Sequence, residues 1–281
     1  MHPVLTEIPG PWGQINLYSF GCCLGIGLLC AWVVFRRQAL RQQTFSEPER
    51  AMSFLLMLLA ASAGATLTTW ILASWGSVPH SLVQRTSTVI AALGAGLVGV
   101  AWCQRNSRPW KKLGDNLAPG LALFLSWMQF GLYLDGASYG SLFASGGDHL
   151  GLILGTFPAY GEPSAAQLPL VFADQAAAGI LPLGASVSLP VHPVQLYEMA
   201  LALVVSLVSL HRSTLSLRAG RSSAEALMLL GVGQILLSPL HGKEPLLMAA
   251  LALPWLGLGA LFLFAPKGRF GLAFDSKRIE P

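Results

Sequence analysis

The densest chemistry in the chain is a seven-residue stretch, His192-Pro193-Val194-Gln195-Leu196-Tyr197-Glu198, placed directly ahead of the apolar run 199–210. An imidazole and a carboxylate are the usual partners of general acid/base work. With Pro193 at the first helical position, His192 is expected to cap the helix. Gln195 follows three residues later and Glu198 three later again, so the polar side chains climb one side of the helix as a slanted stripe. A carboxylate a turn and a half into a membrane helix must be paired, hydrated or protonated. The stretch therefore reads either as a hydrogen-bonded network locking this helix to its neighbours or as the wall of a cavity that receives a polar head group. Asp148 and His149, in Gly-Gly-Asp-His-Leu-Gly, offer a second acid/base pair or a solvated loop. His80 and His241 are expected in loops with no special role, and Asp115 and Asn116 at the N-terminus of a helix whose dipole they complement. The spacing offers no metal-ligand cluster, phosphate-cradling glycine loop or nucleophile elbow, so neither metal nor cofactor is expected.

The elements that must position these groups are membrane helices. With 53% hydrophobic residues and 11% charged ones, a water-soluble surface would be almost bare of charge. Seven apolar windows recur at residues 17–35, 51–75, 88–103, 116–134, 194–210, 226–240 and 246–265, the third and sixth short for a bilayer core. The first has its basic residues after it, so it is expected to serve as its own insertion signal, with no cleavable leader. The segments after spans one, three, five and seven carry every Lys and Arg except Arg85 and Lys243. The positive-inside rule then puts the N-terminus outside and the C-terminus in the cytoplasm. The net charge of +4 reports this topology, and no nucleic-acid partner is expected. Cys22, Cys23, Cys30 and Cys103 fall inside spans as small apolar groups. The expected architecture is one all-α transmembrane domain, 1–281, with a small extracytoplasmic cap at 135–191. That cap is free of Lys and Arg and has an interfacial or re-entrant piece around HLGLILGTF.

Most of the chain resembles the bacterial phosphatidylglycerol–prolipoprotein diacylglyceryl transferases. The resemblance is carried by LYSFG (17–21), GATL (64–67), GAGLVGV (94–100), DNLAPGLAL (115–123), FGLYLDGASYG (130–140), HPVQLYE (192–198) and GVGQILLSPLHGKEP (231–245). It implies a multi-pass protein of the bacterial cytoplasmic membrane. It also implies a reaction in which the lipobox cysteine thiol of a prolipoprotein attacks the glycerol carbon of phosphatidylglycerol and glycerol phosphate leaves. Such chemistry needs a cation for the phosphate, a base near the thiol and an acid for the leaving group.

Several family positions are substituted. A His-Gly-Gly turn is replaced by Gly94-Ala95-Gly96, an arginine by Gln129, an asparagine or cysteine by Leu132, and a glutamate by Ala137. Thr66 stands for the arginine of Gly-Ala-Arg, Gln234 and Ser238 for an arginine and glutamate four apart, and Phe20 for a tyrosine. The cations left outside the basic segments are Arg85 and Lys243, both expected in short loops. A phosphate left unpaired in a low-dielectric cavity costs at least several kcal/mol, and one lost transition-state donor roughly a hundredfold to a thousandfold in rate. The sequence thus favours a catalytically silent relative that binds phospholipid, prolipoproteins or another membrane protein, over an active transferase; an unrelated transporter is disfavoured by the scarcity of charge. On either family reading the acid/base candidates are His192, Glu198 and His149. The substrate-binding candidates are Gln195, Tyr197, Arg85, Lys243, Gln129, Gln234 and Tyr139.

Overall fold

A computed structural model describes residues 4–10, 13–75, 80–142, 154–157, 169–182, 184–215, 218–241 and 245–264. An antiparallel hairpin, β1 (Val4–Gly10) and β2 (Gly13–Tyr18), precedes the helices. Then come α1 (Ser19–Arg41), α2 (Glu47–Ser74), α3 (His80–Arg105) and α4 (Trp110–Asp135), followed by the short α5 (Leu170–Ala177). The chain continues through α6 (Val194–Thr214), α7 (Arg221–Leu237), a 3₁₀ turn (Ser238–His241), α8 (Pro245–Ala250) and α9 (Leu253–Phe264). Seven segments among the described residues are long and apolar enough to cross a bilayer, the last formed by α8 and α9 together. Pro254 explains that break: it lacks an N–H, and its ring clashes with the carbonyl four residues back, at Ala250.

The span boundaries differ from the hydropathy windows where polar residues sit inside helices. The first span starts at Ser19, because Leu17 and Tyr18 pair with β1. The third reaches back to Leu82 and carries Arg85 within the helix, not in a loop. His80, expected in a loop, opens α3.

The long central helix α4 packs against α1, α6 and α7. Small residues permit this, since without a hydrophobic force between helices in lipid, close van der Waals approach supplies the attraction. Gly120 illustrates it: a Cβ there would lie 2.8 Å from the Ala31 carbonyl oxygen of α1. Two hydroxyls add polar stitches, Ser206 of α6 donating to the Pro119 carbonyl (2.8 Å) and Ser126 of α4 to the Met199 carbonyl (3.2 Å). One core cluster, Ala122, Leu125, Met128, Ala202, Val205, Ala226 and Leu230, joins α4, α6 and α7. The α2–α3 hairpin leans on the bundle mainly through a second cluster with Phe35, Phe45, Met57, Cys103 and Leu113. Leu55, Leu59, Leu67 and Trp70 of α2 are exposed, as side chains facing acyl chains would be.

Asp115 does not cap its own helix. It lies five residues inside α4, and its carboxylate accepts from the Gly220 N–H (2.6 Å), the Ser223 N–H (2.9 Å) and the Ser223 hydroxyl (2.8 Å), capping α7 across the bundle. Asn116 donates to the Thr44 hydroxyl at 3.2 Å. At the other end of α4, Gly136 takes the left-handed conformation (φ +66°) that ends a helix without a Cβ penalty. Beyond it Phe157, Val171 and Val191 bury against Tyr133. Most of HLGLILGTF lies outside the described residues; of the rest, Leu154 accepts the Tyr133 hydroxyl at 3.1 Å.

Candidate functional site

Helix α6 begins at Val194 with Pro193 as the capping residue, one later than the cap expected at His192. The backbone of His192 pairs instead with the loop after α4: its N–H donates to the Ser141 carbonyl and its carbonyl accepts from Gly140, each at 2.9 Å. Gly140 permits this approach, since a Cβ there would lie 2.9 Å from that of His192. The expected polar stripe divides. Gln195, fully buried, donates through Nε2 to the Ala137 carbonyl and fastens α6 to the same loop. Glu198 points elsewhere, into a hollow between α3, α4, α6, α7 and α9.

That hollow holds about 660 Å³ of unfilled space, part of it open, and its wall includes Arg85, Gln129, Glu198, Gln234 and Trp255 among apolar side chains. Arg85, one and a half turns into α3, donates to Glu198 Oε1 at 2.5 Å. The same guanidinium Nη2 lies 2.9 Å from Nε2 of His241, which in turn is 3.4 Å from Glu198 Oε1. Arg has no acceptor, so the closer contact is a hydrogen bond only in the His241 tautomer that leaves the Nε2 lone pair free. The guanidinium and the carboxylate offset one another's charge. The three side chains are 14%, 6% and 5% exposed, so solvent screens them little. Beside them, Ser138 donates to Gln84 Oε1 at 2.6 Å, holding the α4 loop against α3. Arg85 Nε, Gln129 Oε1 and Trp255 Nε1 are buried with no hydrogen-bond partner among the described residues.

Of the residues nominated from sequence, Arg85, Glu198, Gln129 and Gln234 meet at this hollow. Gln195, Tyr197 and His192 do not line it, and Tyr139 faces away, its hydroxyl donating to Asp174 Oδ2 at 2.9 Å. Burial, then that carboxylate, pushes the Tyr139 phenol above its ordinary range. His149 and Lys243 lie outside the described residues. His241 and Trp255 were missed. A periodicity signal for His241 existed: it is seven residues, close to two helical turns, beyond Gln234. Trp255 gave none, as one more aromatic in an apolar run.

Residues 3–264 match the family model described as prolipoprotein diacylglyceryl transferase. A curated relative, phosphatidylglycerol–prolipoprotein diacylglyceryl transferase 2 of Clostridium perfringens (strain 13 / Type A), is 28% identical over 149 residues, covering 50% of this chain. The match spans 56% of that relative's length. The resemblance read from the motifs thus holds across nearly the whole sequence, and the chain belongs to the prolipoprotein diacylglyceryl transferase family.

Proposed function

We propose that this family member holds a polar lipid head group in the Arg85–Glu198 hollow without transferring its diacylglyceryl group, acting as a lipid- or lipoprotein-binding accessory of the bacterial cytoplasmic membrane, N-terminus outside. One observation supports this reading: the guanidinium in the hollow is already neutralised by Glu198 at 2.5 Å. A departing glycerol phosphate needs positive charge that strengthens its hold as the bond breaks. Here Arg85 would have to release a buried carboxylate to supply it. The glutamines Gln129 and Gln234 offer hydrogen bonds without charge. The segment 135–191 would form a small extracytoplasmic cap.

A second reading, active transfer to the lipobox cysteine, draws support from the same cluster, because Glu198 and His241 lie together as an acid/base pair beside a cation. The thiol proton would pass to one of them while the sulfur–carbon bond forms and glycerol phosphate leaves. Expression in cells depleted of their own transferase separates the two. The accessory reading expects precursor lipoproteins to stay unmodified by mass spectrometry while phospholipid co-purifies with the inserted protein. Modification that disappears in Arg85→Ala would establish transfer instead.

A further inference from the structure

A second hollow lies at the opposite, basic end of the bundle, between α1, α4, the end of α6 and the turn before α7, with about 1130 Å³ of unfilled space including its mouth. Arg41, Lys112, Arg212 and Arg218 line it, with Gln38 and Ser222, both buried. Four cations drawn from separate elements around one concavity repel each other unless anions intervene. The nearby carboxylates offset only part of this charge. Asp115 lines the hollow and supplies one negative charge, but its oxygens bond the N-terminus of α7 and no cation. Glu225 is shared between Arg212 (3.3 Å) and Arg221 (2.9 Å). Arg41, Lys112 and Arg218 meet no carboxylate among the described residues.

Topology alone does not require this arrangement, because the positive-inside bias is satisfied by charge anywhere on that side. Elsewhere at the same end, Arg36, Arg50 and Arg108 are each matched by Glu47 or Glu49. Among the described residues, Arg41, Lys112 and Arg218 meet no carboxylate and share one concavity, whereas Arg37 and Arg105, equally without one, face outward. Guanidinium forks and an ammonium around a hollow that also offers amide and hydroxyl groups suit the oxygens of a phosphate.

We propose that this basic hollow binds a phosphate-bearing anion, supplied either by the head group of an anionic lipid in the adjoining leaflet or by a soluble phosphate. The test compares the full chain with the triple variant Arg41→Gln/Lys112→Gln/Arg218→Gln. A control, Arg37→Gln/Arg105→Gln, removes two exposed charges from the same end that do not line the hollow. In one arm each protein is reconstituted in phosphatidylcholine nanodiscs containing phosphatidic acid, and retained lipid is counted by native mass spectrometry. In the other, thermal stability in detergent is titrated with inorganic phosphate against chloride at matched ionic strength. The triple variant should lose anion affinity by at least about tenfold while the control keeps it. Loss confined to the lipid arm assigns the ligand to the membrane, and loss confined to the phosphate arm to solution. Absence of selective retention in both arms by the unaltered chain, or an equal loss in the control, overturns the proposal. The variants leave the Arg85 hollow intact, so failure here does not bear on the accessory reading.

Discussion

Replacing Glu198 with leucine removes the anion from a buried ion pair and leaves Arg85 facing the His241 ring. With charge centres about 4 Å apart and an effective dielectric near 20, the lost attraction is about 4 kcal/mol. This agrees with the roughly 3–5 kcal/mol for breaking one side of a buried pair. For a chain of this length each kcal/mol moves Tm by about 2–3 °C, so Glu198→Leu should lower Tm by about 6–15 °C. With the half-buried Cys22 and Cys30 replaced by Ser, the buried Cys103 and Cys23 report the melt, since a thiol-reactive fluorophore reaches them only as the helices separate. Glu198→Gln, which keeps the shape and an acceptor, should lose less. Arg85→Leu/Glu198→Leu should recover most of the loss, because two apolar side chains leave no charge stranded. An unchanged Tm for Glu198→Leu, or additive effects of the two leucine substitutions, would refute the claim that this pair locks α3 to α6.

Three further outcomes follow from the packing. Asp115→Ala strips the cap from α7 and should cost about 1–3 kcal/mol, seen as a lower Tm and faster amide exchange at Gly220 and Ser223. Gly140→Ala drives a methyl toward the Leu240 carbonyl and the His192 Cβ, displacing the turn that carries His241; it should weaken lipid retention more than it lowers Tm, with retention read by native mass spectrometry. Gly120→Ala wedges α4 from the Ala31 backbone and should cost about 1–3 kcal/mol in the thiol-accessibility melt, with little effect at the hollow.

Sequence alone determined the membrane class, the seven spans, the gathering of basic residues at one end and the need of the Glu198 carboxylate for a partner. Each depends on a local sum of transfer free energies or on residues within one helical turn. Boundaries slipped where a polar side chain sat inside a helix, as at Arg85, because a hydropathy window cannot see the partner that makes burial tolerable. Tertiary structure alone decided the partners: Arg85 meets Glu198 across 113 residues and His241 across 156, and Asp115 caps a helix more than a hundred residues away. No periodicity spans such separations. Which buried charges meet is fixed by how α3, α4, α6 and α7 pack, and that packing is set by small-residue contacts summed over the whole bundle.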